Sequence, residues 1–179
     1  AVLDGSAPRA AQLAASRGAL PLSQNDLLEI LVAMHDGQDA ELRDNSRTAL
    51  RSQQASDIEA TLRSDDIAPG VLGYFATQSE VPVGVHEAVV TNVRTPPAAV
   101  ATLARSTQNG SLLELISFNQ QLLIQNPAII DAIIGNSNRT PEAERRAAEV
   151  KREFFEKERG AQQIANELRA RGNDAAAEF

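Results

Sequence analysis

The 179-residue sequence contains no cysteine and no tryptophan, and aromatic residues make up only 3% of it. The absence of cysteine excludes disulfides, thiolate catalysis, cysteine-held iron–sulfur clusters and every cysteine-based zinc site. The scarcity of aromatic residues leaves leucine, isoleucine, valine and alanine to build the core. That composition suits closely packed helices better than a sheet. We therefore expect an all-α protein.

Long hydrophobic runs are also missing. No stretch approaches the roughly 18 apolar residues that a membrane span needs. The first twenty residues carry neither the basic cluster nor the apolar stretch of a signal peptide. We expect a soluble chain with no membrane insertion.

Basic residues are scarce over most of the chain. Residues 19–140 hold 14 acidic and 7 basic side chains, and no lysine precedes Lys151, whereas residues 151–179 hold 6 of each sign. Because lysine and arginine supply most of the affinity for phosphate backbones, we expect no binding of nucleic acid. The acidity of the chain predicts a basic partner instead.

A short phrase recurs at residues 67–76 and 95–104 and, in a weaker form, at 140–148. Each copy has proline at or near the first position of a helix, where the missing N–H has no intrahelical partner. A repeat unit cannot bury its apolar face alone, so repeats imply stacking. The pattern predicts an irregular α-solenoid of stacked short helix pairs that ends in a long C-terminal helix.

Capping residues and apolar spacing place the individual helices. Ser23 begins a helix whose apolar stripe runs to Met34, and Asp39 begins the next one. Further helices are predicted at 55–63, 68–78, 82–91 and 96–106, with several short buried helices within 109–134. A strand at 120–125 is the alternative there, but the proline that follows it disfavours a long strand.

Three regions follow from these patterns. Residues 1–18 form a flexible or weakly helical lead, residues 19–150 a helical-repeat domain, and residues 151–179 an amphipathic C-terminal helix. The apolar residues of that last helix are the candidate partner-binding residues: Phe154, Phe155, Ile164 and Leu168. Two adjacent phenylalanines in a chain this poor in aromatics are typical of an interaction anchor. The interpretation that we favour for the helix is nevertheless a cap that closes the last repeat with a polar outer face, because most amphipathic helices face their own core.

Residues 31–50 resemble a HEAT-type helical repeat. They carry Asp36, Asp39 and Arg43 and end in Ala49-Leu50. The HEAT family places aspartate near the turn between two helices and arginine early in the second helix, where neighbouring units form a ladder of Asp–Arg contacts. The resemblance implies that Asp39 and Arg43 belong to such a ladder. The helix dipole and an i,i+4 attraction also explain this pair without any family.

Two other fragments resemble the leucine-rich-variant repeat, within residues 60–148. They are residues 92–104, Asn-Val-Arg-Thr-Pro-Pro-Ala-Ala-Val-Ala-Thr-Leu-Ala, and residues 136–141, Asn-Ser-Asn-Arg-Thr-Pro. That family stacks an α-helix against a shorter helix. One member carries a cysteine-bound iron–sulfur segment, which a chain without cysteine cannot hold, so we expect no cofactor. The resemblance to bacterial repeat proteins, with arginine far exceeding lysine, favours a bacterial, cytoplasmic protein.

Residue types that carry catalysis or bind metals do not converge in the sequence. His35 and His86 lie far apart, and neither has the spacing that places two ligands on one helix face. The acidic residues within 36–44 lack the EF-hand spacing. The adjacent carboxylates of residues 65–66 point apart, whereas general acid–base pairs need convergent side chains. We expect no metal site, no catalytic residues and no enzyme.

The leading functional hypothesis is a non-enzymatic helical-repeat scaffold or adaptor that binds a protein or peptide partner on its acidic surface. The alternative is a structural or assembly protein that self-associates through its C-terminal helix into a homo-oligomer. A third hypothesis is a helical-repeat enzyme or lyase that acts on a small substrate. This last hypothesis lacks any convergent set of catalytic groups.

Overall fold

The computed structural model describes residues 1–170, without the side chains of residues 156–158. Every regular element in that range is helical, so the all-α prediction is confirmed. The α-helices are α1 (Arg9–Ser16), α2 (Gln24–Met34), α3 (Ala40–Arg51), α4 (Ala55–Leu62), α5 (Pro69–Thr77), α6 (Val83–Thr91), α7 (Pro97–Ser106), α8 (Gly110–Ser117), α9 (Gln120–Gln125), α10 (Pro127–Gly135), α11 (Pro141–Val150) and α12 (Lys157–Ala170). A π-helical segment, Lys151–Glu156, connects α11 to α12.

The predicted caps begin their helices. The side chain of Ser23 accepts the N–H of Asp26 at 3.2 Å, at the start of α2. Asp39 accepts the N–H of Leu42 at 3.1 Å, at the start of α3. Each cap satisfies one of the N–H groups that a helix start leaves without an intrahelical acceptor. The four helices predicted from 55 to 106 are confirmed as α4 to α7, and α9 confirms a helix rather than a strand at 120–125.

The start of the chain contains a helix that packs on its neighbours. Ala15 and Ser16 of α1 are fully buried, and α1 lies against α2 and α3. Gly18 ends α1 with a φ of 69°. Its N–H donates to the carbonyl of Ala15 at 3.0 Å, and the N–H of Ala19 donates to the carbonyl of Ala14 at 2.9 Å. This is the hydrogen-bond pattern of a Schellman motif, in which glycine adopts the left-handed conformation without strain. Of the two alternatives for the lead, residues 9–16 therefore adopt the helix.

The chain forms two compact units, the first unit Ala1–Leu103 and the second unit Ala104–Phe179. Each has its own core of fully buried aliphatic side chains: Leu28, Leu31, Leu62, Ile67, Leu72 and Leu103 in the first unit, and Leu112, Leu113, Ile116, Leu123, Ile129 and Ile130 in the second. Leucine and isoleucine thus do fill the cores, as the composition predicts. The solenoid arrangement and the three regions read from the sequence stay predictions.

Asn92 ties together two loops of the first unit. Its Nδ2 donates to the carbonyls of Leu62 and Ser64, at 2.8 and 3.0 Å, and its Oδ1 accepts the N–H of Arg94 at 2.9 Å. Leu62 is the last residue of α4. The last carbonyls of a helix lack intrahelical donors, so the amide of Asn92 supplies what the end of α4 needs.

Asn136 repeats this arrangement in the second unit. Its Nδ2 donates to the carbonyls of Ala104 and Thr107, at 2.8 and 2.9 Å, and its Oδ1 accepts the N–H of Asn138 at 2.7 Å. Asn92 and Asn136 each precede by five residues the proline that begins the next helix. The asparagine that stands shortly before the second and third copies of the recurring phrase therefore makes the same kind of hydrogen-bond arrangement in both places.

Within residues 1–170, no helix combines the length and the apolar character that crossing a membrane requires.

Candidate functional site

Helix α11 is the base of the candidate site. Thr140 caps it by accepting the N–H of Ala143 at 3.2 Å, and Pro141 stands in its first turn. Ala143, Ala147 and Val150 are buried, and α11 packs on α8, α9 and α10. Alanine on this face lets the helices approach closely. The buried face of α11 ends at Val150.

Beyond Val150 no described apolar side chain is fully buried. We call residues 151–170, the π-helical segment together with α12, the C-terminal helical segment. Its four candidate residues are Phe154, which is 39% exposed, Ile164, which is 60% exposed, and Phe155 and Leu168, which are half-buried. Wherever a side chain of α12 is described, it is not buried. The predicted partner-binding residues therefore lie on one helical extension, on which Phe154 and Ile164 are exposed and Phe155 and Leu168 are half-buried.

The apolar side chains of α12 form a stripe. Ala161, Ile164, Ala165 and Leu168 stand at i, i+3, i+4 and i+7, which is one face of an α-helix. The element that α12 contacts most is the π-helical segment directly before it. A helix of 14 residues gains little stability from propensity alone. This stripe is thus a surface on which another helix can pack.

The π-helical segment separates the two faces. A π turn holds one more residue between hydrogen-bonded groups than an α turn, so the faces of α12 are rotated relative to those of α11. Such turns are rare and occur frequently at functional sites. Lys151 at its start is tied to α10 by an ion pair with Asp131, with Nζ 2.9 Å from Oδ1. The segment therefore begins anchored to the second unit and ends in the uncovered stripe.

Phe118 is an exposed aromatic residue that sequence reasoning missed. It ends α8 and is 64% exposed. The guanidinium of Arg146 lies 3.9 Å from the centre of its ring, and Arg146 also pairs with Glu142 at 2.7 Å. A cavity of about 280 Å³ adjoins it, lined from α11 and the π-helical segment by residues that include Val150 and Glu153. The sequence feature that could have indicated Phe118 is its position just beyond a helix end, in a chain that has few aromatic residues.

Asp39 and Arg43, the predicted ladder residues, have separate partners. Oδ2 of Asp39 lies 2.6 Å from Nη1 of Arg9 in α1, and this guanidinium holds the pKa of Asp39 below its usual range. Nη1 of Arg43 donates to the carbonyl of Gly37 at 3.3 Å. Asp39 thus links α3 to α1 and also caps α3. The ladder between neighbouring repeat units stays a prediction.

The histidines occupy separate structural positions. His35 ends α2, and its Nε2 lies 3.1 Å from Oδ2 of Asp36. His86 lies in α6 and donates from Nε2 to the carbonyl of Gln78 at 2.8 Å. In the part of the chain that the structure describes, no three His, Asp or Glu side chains are grouped as metal ligands.

Of the adjacent carboxylates Asp65 and Asp66, the second is held by neighbouring side chains. Asp66 accepts hydrogen bonds from the hydroxyl of Ser64 and, at 2.7 Å, from Nδ2 of Asn25. The hydroxyl of Ser64 is the main cause that lowers the pKa of Asp66. These two hydrogen bonds tie the loop before α5 to Ser64 and to Asn25 of α2.

Comparison with known proteins gives no match: no protein-family model, no curated protein and no solved structure resembles this chain. The similarity to HEAT-type and leucine-rich-variant repeats therefore stays a prediction from the residues quoted above.

Proposed function

We propose that this protein is a non-enzymatic helical scaffold or adaptor that binds a protein partner through the C-terminal helical segment. The observation that carries the proposal is the uncovered apolar stripe of α12, in which Ile164 is 60% exposed. Fully burying one leucine, isoleucine or phenylalanine side chain contributes about 1.5–3 kcal/mol. An amphipathic helix of the partner that covers the stripe would therefore gain binding free energy by burying these side chains.

Exposed aromatic residues support the same function. Phe154 is 39% exposed and Phe118 is 64% exposed, and both belong to the second unit. Interfaces concentrate their binding energy in a few aromatic and arginine side chains. The stacking of Arg146 on the ring of Phe118 fixes that ring in place, which lowers the entropy lost when a partner binds.

Retention of partner proteins by immobilised full-length chains tests this proposal. The wild type is compared with Ile164→Asp, and the matched control is Val93→Asp, at an apolar residue of the first unit that is 93% exposed. We expect the wild type and the Val93 variant to retain the same protein, and Ile164→Asp to lose it. A synthetic peptide of residues 151–170 should displace the retained protein.

Two outcomes contradict the adaptor. Equal retention by Ile164→Asp and the wild type would show that the stripe is not the docking surface. If light scattering gives a multiple of the monomer mass that Ile164→Asp abolishes, and no other protein is retained, the segment joins copies of this chain. That second result favours the assembly protein over the adaptor.

A second candidate function is the binding of a basic partner by the first unit. Residues 1–103 hold 13 acidic and 7 basic side chains. Glu29, Asp57, Glu80 and Glu87 are exposed and form no ion pair within the described residues. Exposed charges are screened beyond about 10 Å at 0.1 M salt, so raising salt should weaken such a complex. Retention that does not depend on salt would exclude this candidate.

A further inference from the structure

A cavity of about 250 Å³ lies within the first unit, between the end of α3 and the starts of α4 and α6. Its floor is apolar, and Leu50, Ile58, Phe75 and Val85 among its lining residues are buried. A volume of this size accommodates about eight water-sized atoms. The cavity therefore has room for one short aliphatic chain with a polar head.

The rim of this cavity carries polar groups that the protein does not use. The side chains of Arg51 and Glu80 and the hydroxyl of Tyr74 make no hydrogen bond or ion pair within residues 1–170. The side-chain amides of Gln53 and Gln78 differ, since they donate to the carbonyls of Ala49 and Tyr74 at 3.1 and 3.4 Å. One cation, one anion and one hydroxyl thus remain available to a ligand.

Tyr74 is held in a fixed orientation. Its ring meets His35 edge-on, with centroids 4.7 Å apart, and meets Phe75 in the same manner at 5.0 Å. His35 is itself fixed by hydrogen bonding to the carbonyl of Val32 and by its contact with Asp36. Arg51 lines the same cavity, and its charge opposes the rise in the pKa of Tyr74 that burial causes. A guanidinium and a fixed hydroxyl on one rim are suited to a carboxylate.

We propose that this cavity binds a small apolar monocarboxylate. Arg51 pairs with the carboxylate, the hydroxyl of Tyr74 donates a hydrogen bond to it, and the aliphatic chain occupies the apolar floor. Glu80 on the same rim repels a second negative charge, so dicarboxylates and phosphates are disfavoured. This site goes beyond the proposed adaptor function and does not depend on it, because its residues belong to the other unit.

Titration of the full chain with 4-methylpentanoate, followed by amide NMR shifts at Ala55 and Val85, tests the proposal. We expect saturable shifts with a dissociation constant on the order of 1 mM, as befits a ligand of about eight non-hydrogen atoms. The neutral isostere 4-methylpentanamide should bind at least about tenfold more weakly, because it carries no charge and cannot form an ion pair with Arg51.

Arg51→Gln should weaken binding of 4-methylpentanoate about tenfold or more. Arg63→Gln is the matched control, because Arg63 is also an exposed arginine of the first unit at a helix end and does not line the cavity. Tyr74→Phe keeps the ring contacts and should weaken binding severalfold, and Glu80→Gln should improve binding of the dianion glutarate.

Three results would overturn the site. The first is equal binding of the amide and the carboxylate, and the second is an unchanged dissociation constant of 4-methylpentanoate in Arg51→Gln. The third is the absence of saturable shifts when the concentration of 4-methylpentanoate reaches about ten times the expected dissociation constant. If Arg51→Gln fails to fold, the comparison of carboxylate with amide and the Tyr74→Phe variant decide the question.

Discussion

Ser46 is a buried polar residue without a partner. It lies in α3 and is fully buried, and its hydroxyl has no hydrogen-bond partner within the described residues. Ser16 in α1 is equally buried, but its hydroxyl donates to the carbonyl of Leu13 at 2.9 Å and accepts from Asn45 at 3.3 Å. A buried polar group that forms no hydrogen bond costs about 1–3 kcal/mol. Burial of the hydroxyl is therefore unfavourable at Ser46, where it has no partner, but not at Ser16, where it is hydrogen-bonded.

Ser46→Ala is therefore expected to raise the free energy of unfolding by about 1 kcal/mol, because it removes an unsatisfied hydroxyl. Ser16→Ala is the matched control, and it should lower the free energy of unfolding by about 1 kcal/mol. Urea unfolding followed by circular dichroism measures both changes. A loss of stability in Ser46→Ala would mean that its hydroxyl finds a partner in solution.

Asn136 is a buried polar residue of the second unit whose side chain is fully hydrogen-bonded. Its amide serves three carbonyls and one N–H, and it is 5% exposed. Asn136→Ala should lower the free energy of unfolding by about 2–3 kcal/mol, because buried carbonyls lose their donor. Asn138→Ala, at an exposed neighbour, should change it by less than about 0.5 kcal/mol. Equal effects of the two variants in urea unfolding would contradict this role.

Tyr74 provides a direct test by titration, because it is the only tyrosine and the chain has no tryptophan. Burial raises the pKa of Tyr74 above its ordinary value of 10.0, and the charges of Arg51 and Arg47 act in the opposite direction. A raised pKa of an acid in the folded state stabilises the protein below the unfolded pKa, and this stability is lost as pH rises through the folded pKa. Ultraviolet absorbance should give a midpoint above 10, and Arg51→Gln should raise it further. A midpoint equal to that of the urea-unfolded chain would contradict the burial.

At the scale of the element, glycine has two different roles. Gly73 lies within α5, and a Cβ atom at that position would have no neighbour within 4 Å. Gly110 begins α8, and a Cβ atom there would lie 2.8 Å from the carbonyl oxygen of Asn138 and 2.9 Å from Cγ2 of Thr140. Gly110 therefore permits the loop after α10 to approach the start of α8, whereas Gly73 only adds entropy to the unfolded chain.

Gly73→Ala should raise the free energy of unfolding by about 0.5–1 kcal/mol through helix propensity and unfolded-state entropy. Gly110→Ala should lower it by about 1–3 kcal/mol, because backbone must move to admit the methyl group. The two variants make the same chemical change and serve as controls for each other in thermal unfolding. The same sign for both would contradict the close approach at Gly110.

The positions of the elements could largely be predicted from the sequence. Ser23, Asp39 and the prolines act on the chain within one turn of themselves, so the starts of α2 to α7 were predicted to within about two residues. The candidate residues Phe154 and Ile164 were predicted from apolar spacing and, for Phe154, from the adjacent phenylalanine. Phe118 and the cavity beside Tyr74 were missed, because their significance comes from contacts with residues distant in the sequence.

At the scale of the whole molecule, two helices at the C-terminal end differ in what they contribute. Helix α11 buries Ala143, Ala147 and Val150 on its own unit, whereas α12 buries none of its described side chains. Buried apolar side chains stabilise the fold, whereas exposed apolar side chains are available for contact with a partner. The capping and interaction hypotheses for the C-terminal region therefore make opposite predictions about deletion.

Deletion of residues 157–179 should change the free energy of unfolding by less than about 0.5 kcal/mol, because no described side chain of α12 belongs to the core. Deletion of residues 141–179 removes the buried face of α11 and should unfold the second unit. Urea unfolding and amide NMR spectra of both truncated chains measure this. If the shorter deletion also unfolds the second unit, α12 is a cap and the interaction hypothesis fails.

The sequence by itself determined the fold class, the helix starts and the amphipathic character of the C-terminal helical segment, because caps, prolines and apolar spacing act over a few residues. Only the tertiary structure decided which apolar faces are covered, with Val150 buried and Ile164 exposed. It also decided that Asp39 binds Arg9 and that Asn136 closes the end of α7. Those outcomes depend on packing between helices distant in the sequence, and no local pattern specifies which side chains meet there.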